Sequence, residues 1–104
     1  MDSGSYYIGA DLKFQITLEA RGFDQDKNEY QIDIYCGDGE PKHYTQYNVK
    51  TGSDGKHYLL VPTSDMSPGI IRMVITVSIP DDDVPGNIRK EVESLKLGVL
   101  KSAI

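Results

Sequence analysis

SPGIIRMVITVSIPDDDVPGNIR, residues 67–89, is the stretch that decides the fold. Met73, Ile75, Val77 and Ile79 alternate with Val74, Thr76 and Ser78. That two-residue period is the signature of a strand with one face on a core. Pro80 halts the run, because proline has no N–H to give a sheet ladder. Residues 81–86 read as a solvated loop, and the Pro68-Gly69 corner opens the strand as sharply as Pro80 closes it. This is the pattern of an antiparallel sheet, and it holds no catalytic motif.

The same period recurs upstream. Leu12, Phe14, Ile16, Leu18 and Ala20 alternate with Lys13, Gln15, Thr17 and Glu19, and after a polar loop Tyr30, Ile32, Ile34 and Cys36 alternate with Gln31, Asp33 and Tyr35. Residues 43–49 are β-prone, tyrosine-rich and less regular, the expected character of an edge strand. A glycine-bearing loop over residues 51–55 leads to a short strand over residues 57–61, closed by Pro62. Residues 89–99 form the last strand, with Val92, Leu95, Leu97 and Val99 as inward candidates. Residues 1–10 lack a period and set Tyr6, Tyr7 and Ile8 among Gly and Ser. They make an arm that either docks on its own sheet or orders on a partner.

The expected fold is therefore all-β, an immunoglobulin-like antiparallel β-sandwich of about six to seven strands over residues 11–104. Its expected core holds Leu12, Phe14, Ile16, Leu18, Ile32, Ile34, Cys36, Met73, Ile75, Val77, Leu95 and Leu97. Met66-Ser67-Pro68-Gly69 ahead of a strand resembles fibronectin-III domains, but Arg72 stands where an aromatic would fall and the chain has no tryptophan.

Composition narrows the function. The 104 residues make one domain, and 16 acidic against 11 basic side chains give a net charge of −5. Nucleic acid and anionic membranes call for a basic face, so neither is an expected partner. Cys36 stands alone, which precludes an intrachain disulfide or a cysteine-based zinc site. No signal-peptide pattern opens the sequence, and no apolar run approaches the ~20 residues that span a bilayer.

Several constellations yield to plainer readings. Asp24, Asp26 and Asn28 open like a calcium loop, but Glu29 and Tyr35 occupy the positions that need glycine and a bidentate glutamate. Asp81, Asp82 and Asp83 read as a charged turn. His43 and His57 meet only if their segments pair, and a third zinc ligand is missing. Cys36 falls on an inward face with Ile34, as a small hydrophobe rather than a nucleophile. No cofactor or metal is expected. Tyr6, Tyr7, Ile8, Tyr44 and Tyr47 are the candidate partner interface, because tyrosine buries area cheaply and keeps a polar tip.

One resemblance adds to this. Residues 11–17 running to Gly22-Phe23-Asp24, Tyr58-Leu59-Leu60-Val61, and the block from Pro68-Gly69 through Ile79-Pro80-Asp81 to residues 89–92 resemble small proteins of tailed phages and prophages of gut Bacteroides, including the crAss-like phages. Together these segments cover most of residues 11–99. The resemblance implies a virion structural component assembled in the host bacterial cytoplasm, nearest to the dimeric head-fibre proteins that tie a fibre to a capsid. It carries over no functional residue. The expected function is thus a non-enzymatic homodimeric connector whose edge over residues 43–49 pairs with its symmetry mate while the arm docks on other capsid or fibre proteins. The competing class is a surface module that binds carbohydrate.

Overall fold

The computed structural model describes residues 4–102. Residues 1–3 of the expected arm and residues 103–104 lie outside the described residues. The chain is mostly strand, in the order β1 (Gly4–Tyr7), β2 (Asp11–Gln15), β3 (Tyr30–Cys36), β4 (Lys42–Thr45), β5 (Lys50–Thr51), β6 (His57–Pro62), β7 (Gly69–Pro80) and β8 (Ile88–Lys101). Short 3-10 turns at Gln46–Asn48 and Pro85–Asn87 complete it.

Two sheets result. One has five strands in the order β1-β8-β7-β3-β4; the other has three, β2-β6-β5. Leu12, Leu59 and Val61 from the small sheet share one core with Ile32, Ile34, Ile71, Met73, Ile75 and Ile79 from the large one. The all-β, sandwich-like reading holds at that level. Among the described residues eight strands replace the six or seven expected, because β1 and β5 are too short to show a period in sequence. One pair is parallel: β1 runs alongside β8, Gly4 opposite Gly98 through Tyr7 opposite Lys101.

Leu12, Ile16, Ile32, Ile34, Cys36, Met73, Ile75 and Val77 are buried as expected, and Phe14, Leu18 and Leu97 pack half-buried against them. Leu95 is a correction. It lies beside Met73 on the core face of β8, yet it is 39 % exposed because the three-stranded sheet is too narrow to reach it. Val92 is another: it pairs with Thr76 on the outer face. Between Ile71 and Arg72 the β7–β8 register slips by one residue, with Leu97 as the extra one. Such a bulge exchanges the two faces of the strand beyond it. Gly98 and Leu100 therefore turn inward, and Val99 does not.

The alternation of residues 12–20 also outruns its strand, since β2 passes the end of β6 after Gln15. The Gln25 side chain replaces the missing neighbour, its Oε1 accepting Leu18 N–H at 3.0 Å and its Nε2 donating to the Ile16 carbonyl at 2.9 Å.

Candidate functional site

The arm is part of the large sheet from Gly4 onward. Ile8 N–H donates to the Lys101 carbonyl at 2.9 Å, closing the β1–β8 pairing. The two backbones run so close at Gly98 that a β-carbon there would overlap the Gly4 carbonyl oxygen. Tyr6 and Ile8 pack against the core, so of the three candidate arm residues only Tyr7 is presented to solvent. Residues 1–10 are thus not a segment apart from the sandwich wherever they are described.

Thr63, fully buried, secures the turn behind β1. Its hydroxyl donates to the Ala10 carbonyl at 2.6 Å and accepts Gly9 N–H at 3.0 Å. Thr63→Val keeps the shape and removes both bonds, and is expected to cost about 1 kcal/mol. Amide exchange at Ile8 should speed up while that of β3 amides keeps its ranking. Equal exchange at Ile8 in both proteins would show that the clamp does not hold the arm.

β4 lies at the opposite edge of the same sheet, as expected of an edge strand, but it is shorter than residues 43–49. Thr45 ends it: its hydroxyl accepts Tyr47 N–H while Asn48 Oδ1 accepts Thr45 N–H, which winds residues 46–48 into a 3-10 turn. Tyr44 points inward opposite Ile32, where burial pushes its phenol above the ordinary range. Tyr47, on the turn, is 86 % exposed. The two tyrosines do not form one exposed patch, and neither adjoins Tyr6 and Tyr7 across the sheet. Lys42 fastens this edge to the small sheet, donating to the Pro62 carbonyl and pairing with Asp65 at 2.9 Å, which holds that carboxyl below the usual carboxylate range.

His43 and His57 stay apart, because β4 pairs with β3 while β6 pairs with β2 and β5. His43 Nδ1 meets the buried Asp33 carboxylate at 2.6 Å; His57 lies between Asp26, 3.2 Å from Nε2, and Thr51, 3.3 Å from Nδ1. One carboxylate in each acidic loop caps its own loop's backbone. Asp24 accepts Asp26 N–H, and Asp81 accepts Asp83 N–H and the Arg89 guanidinium, both of which hold the Asp81 carboxyl low. Among the described residues no group of three or more metal-binding side chains converges. Cys36 is buried, its Sγ donating to the Ser67 carbonyl at 3.0 Å, and burial raises its pKa.

Tyr47 overlooks a cleft of about 230 Å³ lined by Gln25, Asp26, Gln46, Thr51 and His57. A second feature escaped the sequence. β1 covers the outer edge of β8 only from Gly98 to Lys101, so along residues 88–96 no strand among the described residues pairs with that edge. There Ile88 is 56 % exposed and Val92 66 %. The signal available was the density of charge in Arg89, Lys90, Glu91, Glu93 and Lys96, the usual guard of an open edge. Among the described residues no helix is long and apolar enough to cross a membrane. Neither a family model, nor a curated protein, nor a solved structure matches the chain.

Proposed function

We propose that the chain is a non-enzymatic structural protein of a bacteriophage virion, an immunoglobulin-like connector of the head-fibre or capsid-decorating kind that dimerises and joins other coat proteins. The observation that carries this reading is the pair of edges on one sheet, at β4 and along residues 88–96 of β8, with which no strand among the described residues pairs. Separate edges let a small sandwich bind a second copy and a different protein at once. The resemblance of segments within residues 11–99 to Bacteroides phage proteins supplies the virion setting.

Self-association falls to the β4 edge. Antiparallel pairing of Lys42–Thr45 with its symmetry mate satisfies open backbone groups, and Tyr47 adds aromatic area beside it. Light scattering at micromolar concentration should give twice the 11.6 kDa chain mass, and Tyr47→Lys should weaken the dimer at least about tenfold. A monomer mass for the parent protein overturns the dimer. Peptides of the chain should also co-sediment with purified phage particles from the bacterium that carries the gene; their absence overturns the virion role.

The cleft beneath Tyr47 favours one second reading, a carbohydrate site in which the ring stacks on a sugar and Gln25, Gln46 and Asp26 take its hydroxyls. Neutral oligosaccharides that shift the Tyr47 ring resonances of a protein already monomeric would select it over the connector.

A further inference from the structure

We infer that the open edge of β8, residues 88–96, accepts an extended basic segment of a different protein as an added strand. The inference rests on the connector reading and names the chemistry of its second partner. Strand addition draws affinity from main-chain hydrogen bonds and selectivity from side chains on alternate sides. The two sides here differ in kind. Pairing of β8 with β7 puts Glu91 beside Val77 and Glu93 beside Ile75 on the core face, and Lys90 and Val92 beside Ser78 and Thr76 on the outer face.

On the core face these glutamates border a cleft of about 270 Å³ whose floor is Leu18, Ala20, Ile75 and Val77, with Glu19 on the facing rim. Arg89 pairs with Glu91, whereas no ion pair among the described residues reaches Glu19 or Glu93. An apolar floor with an anionic rim fits lysine or arginine, whose aliphatic stem lies on the floor while its head stays at the rim. On the other face the exposed Ile88 and Val92 favour small apolar residues at the intervening positions of the incoming strand.

A second copy of β8 centred on Val92 would set Glu91 against Glu93 of its mate, like charges on the same face. The Glu19, Glu91 and Glu93 carboxylates around the groove favour a basic partner over that pairing.

The probe is a labelled eight-residue peptide alternating Lys with Val or Thr, titrated against the full chain by fluorescence polarisation. Three comparators accompany it: Glu in place of Lys, the same composition in two blocks, and alternate backbone nitrogens methylated. The alternating basic peptide should bind at least about tenfold more tightly than each comparator. It should slow amide exchange within residues 88–96 and leave β4 unchanged. Glu91→Lys with Glu93→Lys should lose that binding, and Glu93→Gln alone, which removes one rim charge without changing the side chain's shape, should weaken it. Equal binding by the blocked or methylated peptide reduces the effect to attraction between opposite net charges and overturns the inference, as does unchanged affinity in both variants. A dimeric, virion-incorporated protein with no peptide binding leaves the connector standing and removes only this edge from it.

Discussion

Ile32→Ala is expected to lower stability by about 2–5 kcal/mol, the range for removing a large aliphatic side chain from a well-packed site. Ile32 is completely buried on the interior strand β3, with Ile75 of β7 and Tyr44 of β4 beside it on the core face and the small sheet packed across. No water can fill so apolar a cavity, and neighbours held in two ladders close it only in part. In a domain of this size each kcal/mol moves the melting temperature by roughly 4–8 °C, so a fall of about 8–40 °C should follow. Leu95→Ala is the paired measurement. Leu95 shares the core face but has no sheet above it, and its loss should cost less than about 1 kcal/mol. Denaturant titrations with a common slope give both numbers. A larger loss at Leu95 than at Ile32 would mean that the β7–β8 register is misassigned.

Gly69→Ala should be nearly as damaging, for a reason of backbone rather than burial. Gly69 opens β7 at φ 146° where the chain passes the Gly37 turn at the end of β3. A β-carbon on Gly69 would stand 2.7 Å from Gly37 Cα and 2.9 Å from Gly37 N, and one on Gly37 would overlap the Pro68 carbonyl. Both obstacles are main chain, so no rotamer change relieves them. Strain at an unfavourable φ and overpacking each cost about 1–3 kcal/mol, which places the variant about 2–6 kcal/mol below the parent. The carbonyls of Ser67 and Gly69 that face the Cys36 thiol must shift with it. Faster amide exchange at Cys36 and Gly39, measured with the unfolding free energy, checks the mechanism. An unperturbed Gly69→Ala protein would show that the β3 and β7 ends do not touch as described.

The two edges have different characters. β4 is short, fastened by Lys42 to Asp65 and the Pro62 carbonyl, and followed by a capped turn that projects one tyrosine. The open part of β8 is longer, charged on both faces and set beside an apolar cleft. The first suits pairing with an identical edge, and the core face of the second, with Glu91 and Glu93, a strand that brings basic side chains to that face. The proposed connector would thus have two joints on one sheet.

By itself the amino-acid sequence determined the fold class and most of the strands. Periods of two in residues 12–16, 30–36 and 70–79, punctuated by Pro62, Pro80 and the glycine turns, follow from the alternation of side chains across any pleated strand. Burial of Ile32, Ile34, Met73, Ile75 and Val77 followed from the same local rule. What only the tertiary structure decided depends on which strand meets which, and for how long. The arm became β1 because Gly98 lets the Gly4 backbone approach β8. Leu100 displaced Val99 from the core because a one-residue bulge exchanged the faces. Leu95, Val92 and Ile88 are left exposed because, among the described residues, no strand pairs with β8 there and the small sheet does not cover them. Alternation fixes which residues share a face, whereas the lengths of neighbouring strands fix which part of that face is covered, and those lengths are set by contacts distant in sequence.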